Sequence, residues 1–218
     1  MELNPAMLIS MASSLFCGLV GLIVFRRLAA AFQLLVIHAF FSFAMDVWGY
    51  VLVKFFDYHN NQAFFNFYMP FDFLLMLFAA RAKFGRHFRL FSTISIAIFT
   101  VLWAQSLIIH GIDQFANKVL VVYGILLTIA YFIVLLRNVQ EEQSRYTNGI
   151  YCIAVPVILY YCCTIPHFGL LHYFRSGPLK DVGYYINNIL CILRYCSTGI
   201  GLILLSRTVT KPAINAYQ

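Results

Sequence analysis

Apolar residues run through the chain in seven long blocks separated by short polar or basic stretches. The blocks fall at about 7–25, 28–55, 63–80, 90–109, 119–136, 149–171 and 182–206. A helix crosses the hydrocarbon core of a bilayer in ~20 residues, and each block is of that order. The pattern therefore predicts an all-α integral membrane protein with seven transmembrane helices, forming a single domain over 1–218. The connections are short. Even the one at 137–148 is too small for an output domain, and no soluble domain is expected.

The polar positions inside the blocks are not scattered. In the second, His38, Ser42, Asp46 and Tyr50 recur every four residues. That spacing drifts only about 40° per step on a helix, so the four form one polar ladder. The third block carries Asp72 near its middle, with Tyr68 one turn earlier and Pro70 between them, where the lost backbone donor predicts a kink. The sixth places Tyr160, Thr164 and His167 on one face, and its Pro156 and Pro166 predict a bent or broken helix. In the seventh, Asn187, Cys191, Arg194, Thr198 and Gly201 make a polar or small stripe. Gly18 and Gly21 in the first allow close helix contact. The fifth is the blandest and reads as scaffold.

Composition agrees with the pattern. The chain is 62% hydrophobic and 11% charged, with a mean hydropathy of +0.81, whereas soluble domains are about 45–50% apolar and about 25% charged. The net charge of +7 does not point to nucleic acid, because the basic residues flank the apolar blocks. The first, third and fifth connections and the C-terminal tail carry ten Lys and Arg; the other side carries four, with Arg194 inside the seventh block. The positive-inside rule then predicts an N-terminus outside and a C-terminus inside, in a cell (inner or plasma) membrane. Glu2 and the absence of a basic leader predict an uncleaved first span. The six cysteines contain no CxxC pair and read as small buried hydrophobes.

Arg194 is the residue that needs an explanation, because a charge at mid-span costs about 2.5–3.5 kcal/mol on insertion scales. Counting from the predicted span ends at 1.5 Å per residue, Asp46 lies ~12 Å, Asp72 ~15 Å and Arg194 ~18 Å deep. The three are therefore expected in one layer, with Arg194 bonded bidentately to one aspartate. The other aspartate is left for a proton or cation; alternatively Arg194 receives an anionic solute. Asn187, Tyr68, Tyr160, Thr164, His38, Ser42 and Tyr50 complete the candidate ligand-binding and charge network. His38 is expected deeper, towards the inner side. The bland alternative is an Asp–Arg pair that fixes helix register only.

No cofactor is implied and no metal site is expected. The weak enzymatic alternative, an intramembrane metal-dependent hydrolase, would need His38, Asp46 and His167 together. A rhodopsin is excluded because none of the lysines, at 54, 83, 118, 180 and 211, lies inside the last span. The end-of-span signatures of G-protein-coupled receptors are absent.

A shift of 122 positions brings Leu28 to Ile150, Asn66 to Asn188 and Asp72 to Arg194, with aromatic doublets (Phe64-Phe65, Tyr184-Tyr185) before both. Blocks 1–3 and 5–7 are thus a candidate 3+1+3 parallel repeat. In plan, not in motif, this resembles the SWEET sugar carriers and the PnuC vitamin transporters, whose signature residues are not found. The expected function is binding, and transport, of a small polar or charged solute through the Asp/Arg pocket. The alternatives are a seven-helix sensor or receptor subunit acting through a cytoplasmic partner, and a structural subunit of a complex. The expected partners are the lipid bilayer, the solute, and a homo-oligomer or signalling partner.

Overall fold

The computed structural model describes residues 5–56, 62–81, 86–112, 114, 116–139, 144–169 and 180–208, and among these described residues there are seven α-helices. They are α1 (Pro5–Val24), α2 (Ala30–Phe56), α3 (Gln62–Arg81), α4 (Arg86–His110), α5 (Asn117–Val139), α6 (Ser144–Gly169) and α7 (Lys180–Thr208). All seven are long and apolar enough to cross a membrane, and there is no strand among the described residues. The backbone explains the choice: in lipid each N–H and C=O needs an internal partner, which a helix supplies within one segment.

The helices extend past the predicted spans at several ends. Arg86 and Arg89 fall on α4 rather than in a basic loop, and residues 82–85 and 140–143 lie outside the described residues. A short 3₁₀ turn, Phe25–Arg27, closes α1. The Gln33 side chain tightens that corner by donating to the carbonyls of Phe25 (3.1 Å) and Leu28 (3.2 Å). The prolines do not break their helices: α3 continues through Pro70, and α6 runs through both Pro156 and Pro166.

Small residues set the close helix approaches. A Cβ at Gly21 would stand 2.5 Å from Val36, and one at Gly201 would stand 2.7 Å from the Gly149 carbonyl oxygen. Gly18 likewise faces Phe40, so α1 and α2 run antiparallel. The pairs His38–Asp72 and Ser42–Tyr68 fix an antiparallel register for α2 and α3. In contrast, α1 and α7 are parallel neighbours, through Gly199 against Phe16 and Cys17 and through Gly21 against Leu202. So are α3 and α5, through Phe73 with Tyr123 and Met76 with Tyr131. Neighbouring helices therefore close a ring in the order α1, α2, α3, α5, α6, α7.

Helix α4 packs on α3 and α5 at the edge of this ring. Only 17% of its apolar window is buried, against 33–44% for the other six. Phe99 of α4 stacks on Phe73 at 4.4 Å. Asn66 clamps the α4–α5 connection, donating to the carbonyls of Ile112 (2.8 Å) and Gln114 (2.7 Å) and accepting from the Ala116 amide (3.1 Å). At one end of the bundle Arg26, Arg27, Arg89 and Arg207 are exposed; this is the basic end.

Candidate functional site

Asp72 is the hub of the interior. It is 3% exposed, and helices α2, α3, α5 and α6 each bring it a donor. Its Oδ1 accepts from His38 Nε2 (2.6 Å) and Tyr68 Oη (2.7 Å). Its Oδ2 accepts from the Tyr123 hydroxyl and, at 3.5 Å, from the Tyr161 hydroxyl. Ser42 extends the cluster by bonding Tyr68 at 2.8 Å. A carboxylate in a low-dielectric interior is tolerated when its lone pairs are filled in this way.

Arg194, 5% exposed, does not bond to either aspartate, which corrects the expected Asp–Arg pair. Asp72 is paired with His38, an ion pair when the ring is protonated. The guanidinium instead lies between the rings of Tyr160 (4.4 Å) and Tyr195 (4.6 Å), where the π faces stabilise it. Its Nη2 donates to Tyr195 Oη (2.6 Å) and its Nη1 to Tyr161 Oη (3.3 Å). Tyr161 bonds Tyr123 at 2.7 Å, so the link from Arg194 to Asp72 passes through tyrosine hydroxyls. The Arg194 Nε is buried with no partner.

The register explains the difference. His38 lies level with Asp72 and stacks beside Tyr195 at 6.1 Å. Asp46 stands about two turns, or ~12 Å, further along α2, away from the basic end. The expected single layer is therefore two layers, and His38 belongs to the Asp72 layer rather than a deeper one. An arginine on a helix leans towards that helix's N-terminus, which for α7 is the Asp46 side. Arg194 feels the charge of both aspartates while bonding neither. Asp46 lies within electrostatic reach of Cys191 and hydrogen-bonds to none of the described groups.

The remaining candidates divide. Tyr68, Ser42, His38 and Tyr160 join the centre. Asn187 lies one turn above Cys191, its Oδ1 buried and unpartnered. Thr164 is turned back onto its own helix, donating to the carbonyls of Tyr160 (2.7 Å) and Tyr161 (3.4 Å), because a mid-helix threonine satisfies itself that way. Tyr50 stays at the far end of α2 under the Lys54 ammonium (5.4 Å) and does not reach the centre. The His167 side chain lies outside the described residues, and among those described no three His, Cys, Asp or Glu could hold a metal ion.

Sequence reasoning missed Tyr123, Tyr161 and Tyr195, and it treated the helix carrying Tyr123 as scaffold. The usable signal was physical: a tyrosine in an apolar span needs a partner for its hydroxyl. A small cavity, with room for about one water, lies between His38, Arg194, Tyr195 and Thr198.

No protein-family model matches the sequence, and no curated protein or solved structure shows significant similarity to it. The class follows from the fold and the centre alone: a multi-pass helical membrane protein with a hydrogen-bonded charged core inside its bundle.

Proposed function

We propose that this protein binds a small polar or charged solute at the Asp46–Arg194 level and carries it across a cell membrane. One observation carries the reading. Arg194 Nε and Asn187 Oδ1 are buried without partners, and Asp46, within electrostatic reach of Arg194, bonds none of the described groups. Leaving buried polar groups unmade costs about 1–3 kcal/mol each, more for charged ones. A solute supplying complementary groups removes that cost.

The arrangement of the ring supports the carrier reading and the 3+1+3 repeat. The two parallel contacts, α1 with α7 and α3 with α5, are the pair that a two-fold axis along the membrane normal would interchange. Asp72 on α3 and Arg194 on α7 are then counterparts at the repeat interface, the usual position of a carrier's site. The excess of Lys and Arg at the basic end supports a reading with that end inside and the N-terminus outside. The Asp46 level then faces outward.

Flux into proteoliposomes tests the reading, using a panel of labelled amino acids, sugars and carboxylates. Saturable uptake of one class, lost in Arg194→Gln and Asp46→Asn, is expected; uptake that survives both changes refutes it. A second reading, a sensor subunit signalling to a separate partner through the basic end, is favoured by the tight packing around the water-sized cavity. It predicts solute-dependent thermal stabilisation with no flux.

A further inference from the structure

We propose that the His38–Asp72 pair is a proton-binding site, and that the proton is the ion coupled to solute binding at the Asp46–Arg194 level. The inference rests on the carrier reading for its coupling, and on the geometry of the pair for the site itself.

The chemistry of the Asp72 shell separates a proton from a metal cation. Both carboxylate oxygens accept only from N–H and O–H donors: His38 and Tyr68 on one, Tyr123 and Tyr161 on the other. A sodium-like cation needs several oxygen lone pairs converging on one point. Here the carboxylate faces donors instead: the Tyr123 hydroxyl is the closest group to Oδ2, and the His38 ring nitrogen is the closest to Oδ1. An imidazole bonded at 2.6 Å to a carboxylate is suited to sharing a proton.

The count of charges in the interior leads to the same ion. Asp46 and Asp72 are opposed by Arg194 alone while the His38 ring is neutral. The other titratable groups that the packed helices bring to the interior are Cys17 of α1, Tyr68 of α3, Tyr123 and Tyr131 of α5, Tyr160 and Tyr161 of α6, and Cys191 and Tyr195 of α7. All of these are uncharged as ordinary phenols and thiols near neutral pH. One net negative charge is therefore left inside the bundle, and in a low-dielectric interior it is costly. One proton, taken from water onto the pair with no bond broken and no electron moved, cancels it.

A water-sized cavity and a hydrogen-bonded link flank the pair on opposite sides. The water-sized cavity touches His38. On the other side Asp72 connects through Tyr123 and Tyr161 to Arg194. Proton occupancy at Asp72 is thereby linked to the guanidinium that faces the solute level.

The test is direct proton uptake, measured with a pH indicator on the purified, lightly buffered protein in nanodiscs, with no solute. The titration runs between about pH 4 and pH 9, which spans ordinary Asp and His ionisation. The variants are Asp72→Asn, His38→Gln and Tyr123→Phe, each checked for monodispersity. Wild type should take up about one proton more than His38→Gln and Asp72→Asn, and sodium should not displace it. Where Asp72→Asn does not fold, His38→Gln carries the comparison. Tyr123→Phe should keep the proton but shift the pH at which it binds. Equal uptake in wild type and His38→Gln, or release of the proton by sodium, overturns the proposal. Because no solute is used, uptake without flux removes only the carrier reading, and flux without uptake removes only the proton site.

Discussion

At the scale of single residues, the interior is organised by hydroxyl groups rather than by a salt bridge between the aspartates and the arginine. Tyr123 is the clearest case. Phenylalanine would fill the same volume but leave Asp72 Oδ2 without its closest donor, a loss of about 1–3 kcal/mol for a buried acceptor. Tyr123→Phe should therefore lower stability to unfolding in detergent by that amount. Tyr50→Phe should leave it unchanged, because Tyr50 reaches only Lys54. The sequence exposed Asp72, Arg194 and His38 individually, since charges in apolar spans stand out. It could not assign their partners, because depth is measured from span ends that the pattern does not fix. A slip of about two turns on α2 brings His38 rather than Asp46 level with Asp72. Tyr123 and Tyr161 stayed hidden for a different reason: tyrosine is common in apolar spans, and nothing local marks which hydroxyl is buried.

Helices and their contacts were the most legible level, because the bilayer fixes the length of an apolar span and the backbone must be helical within it. The prolines do not interrupt the chain's helices: α6 accommodates Pro156 and Pro166 within one helix, as packed neighbours and local adjustment of backbone bonds permit. Glycine contacts were partly legible. Gly21 packs closely as its spacing suggested, whereas Gly201 meets the Gly149 carbonyl, a pairing visible only once α6 and α7 are placed together. Gly201→Ala would drive a Cβ against backbone that cannot swing aside, so it should separate α6 from α7 and cost about 1–3 kcal/mol, as overpacking does. Gly49→Ala is the control. Its Cβ meets nothing within 4 Å, and replacing a mid-helix glycine should stabilise by up to about 1 kcal/mol. Thermal unfolding of the two variants beside wild type checks both signs. Asn66→Ala should release the α4–α5 connection, and limited proteolysis should then cut between His110 and Asn117 faster than in wild type.

For the whole molecule, the alternating helices and the concentration of arginine at one end make a definite topology claim. A reporter that is active only in the cytoplasm, fused after Gln218, should be active, and one fused before Met1 should not; the reverse pattern would invert the assignment. The 3+1+3 repeat we propose starts from a shift in the sequence. The ring order adds a geometric reason for it, because two parallel helix contacts are what a two-fold axis along the membrane normal would produce. What the linear pattern could not convey is that α4 stands at the edge of the ring, since its apolar content equals that of helices lining the centre. The account's central claim is that the Asp46–Arg194 level opens to the outside. Cys191 lies about one turn above Arg194 on α7 and within electrostatic reach of Asp46, so its reactivity reports on the opening directly. In a variant with the other five cysteines replaced, a membrane-impermeant maleimide added outside should label Cys191. An outside addition that leaves Cys191 unlabelled, while the same thiol reacts from the inside or after denaturation, would contradict the account.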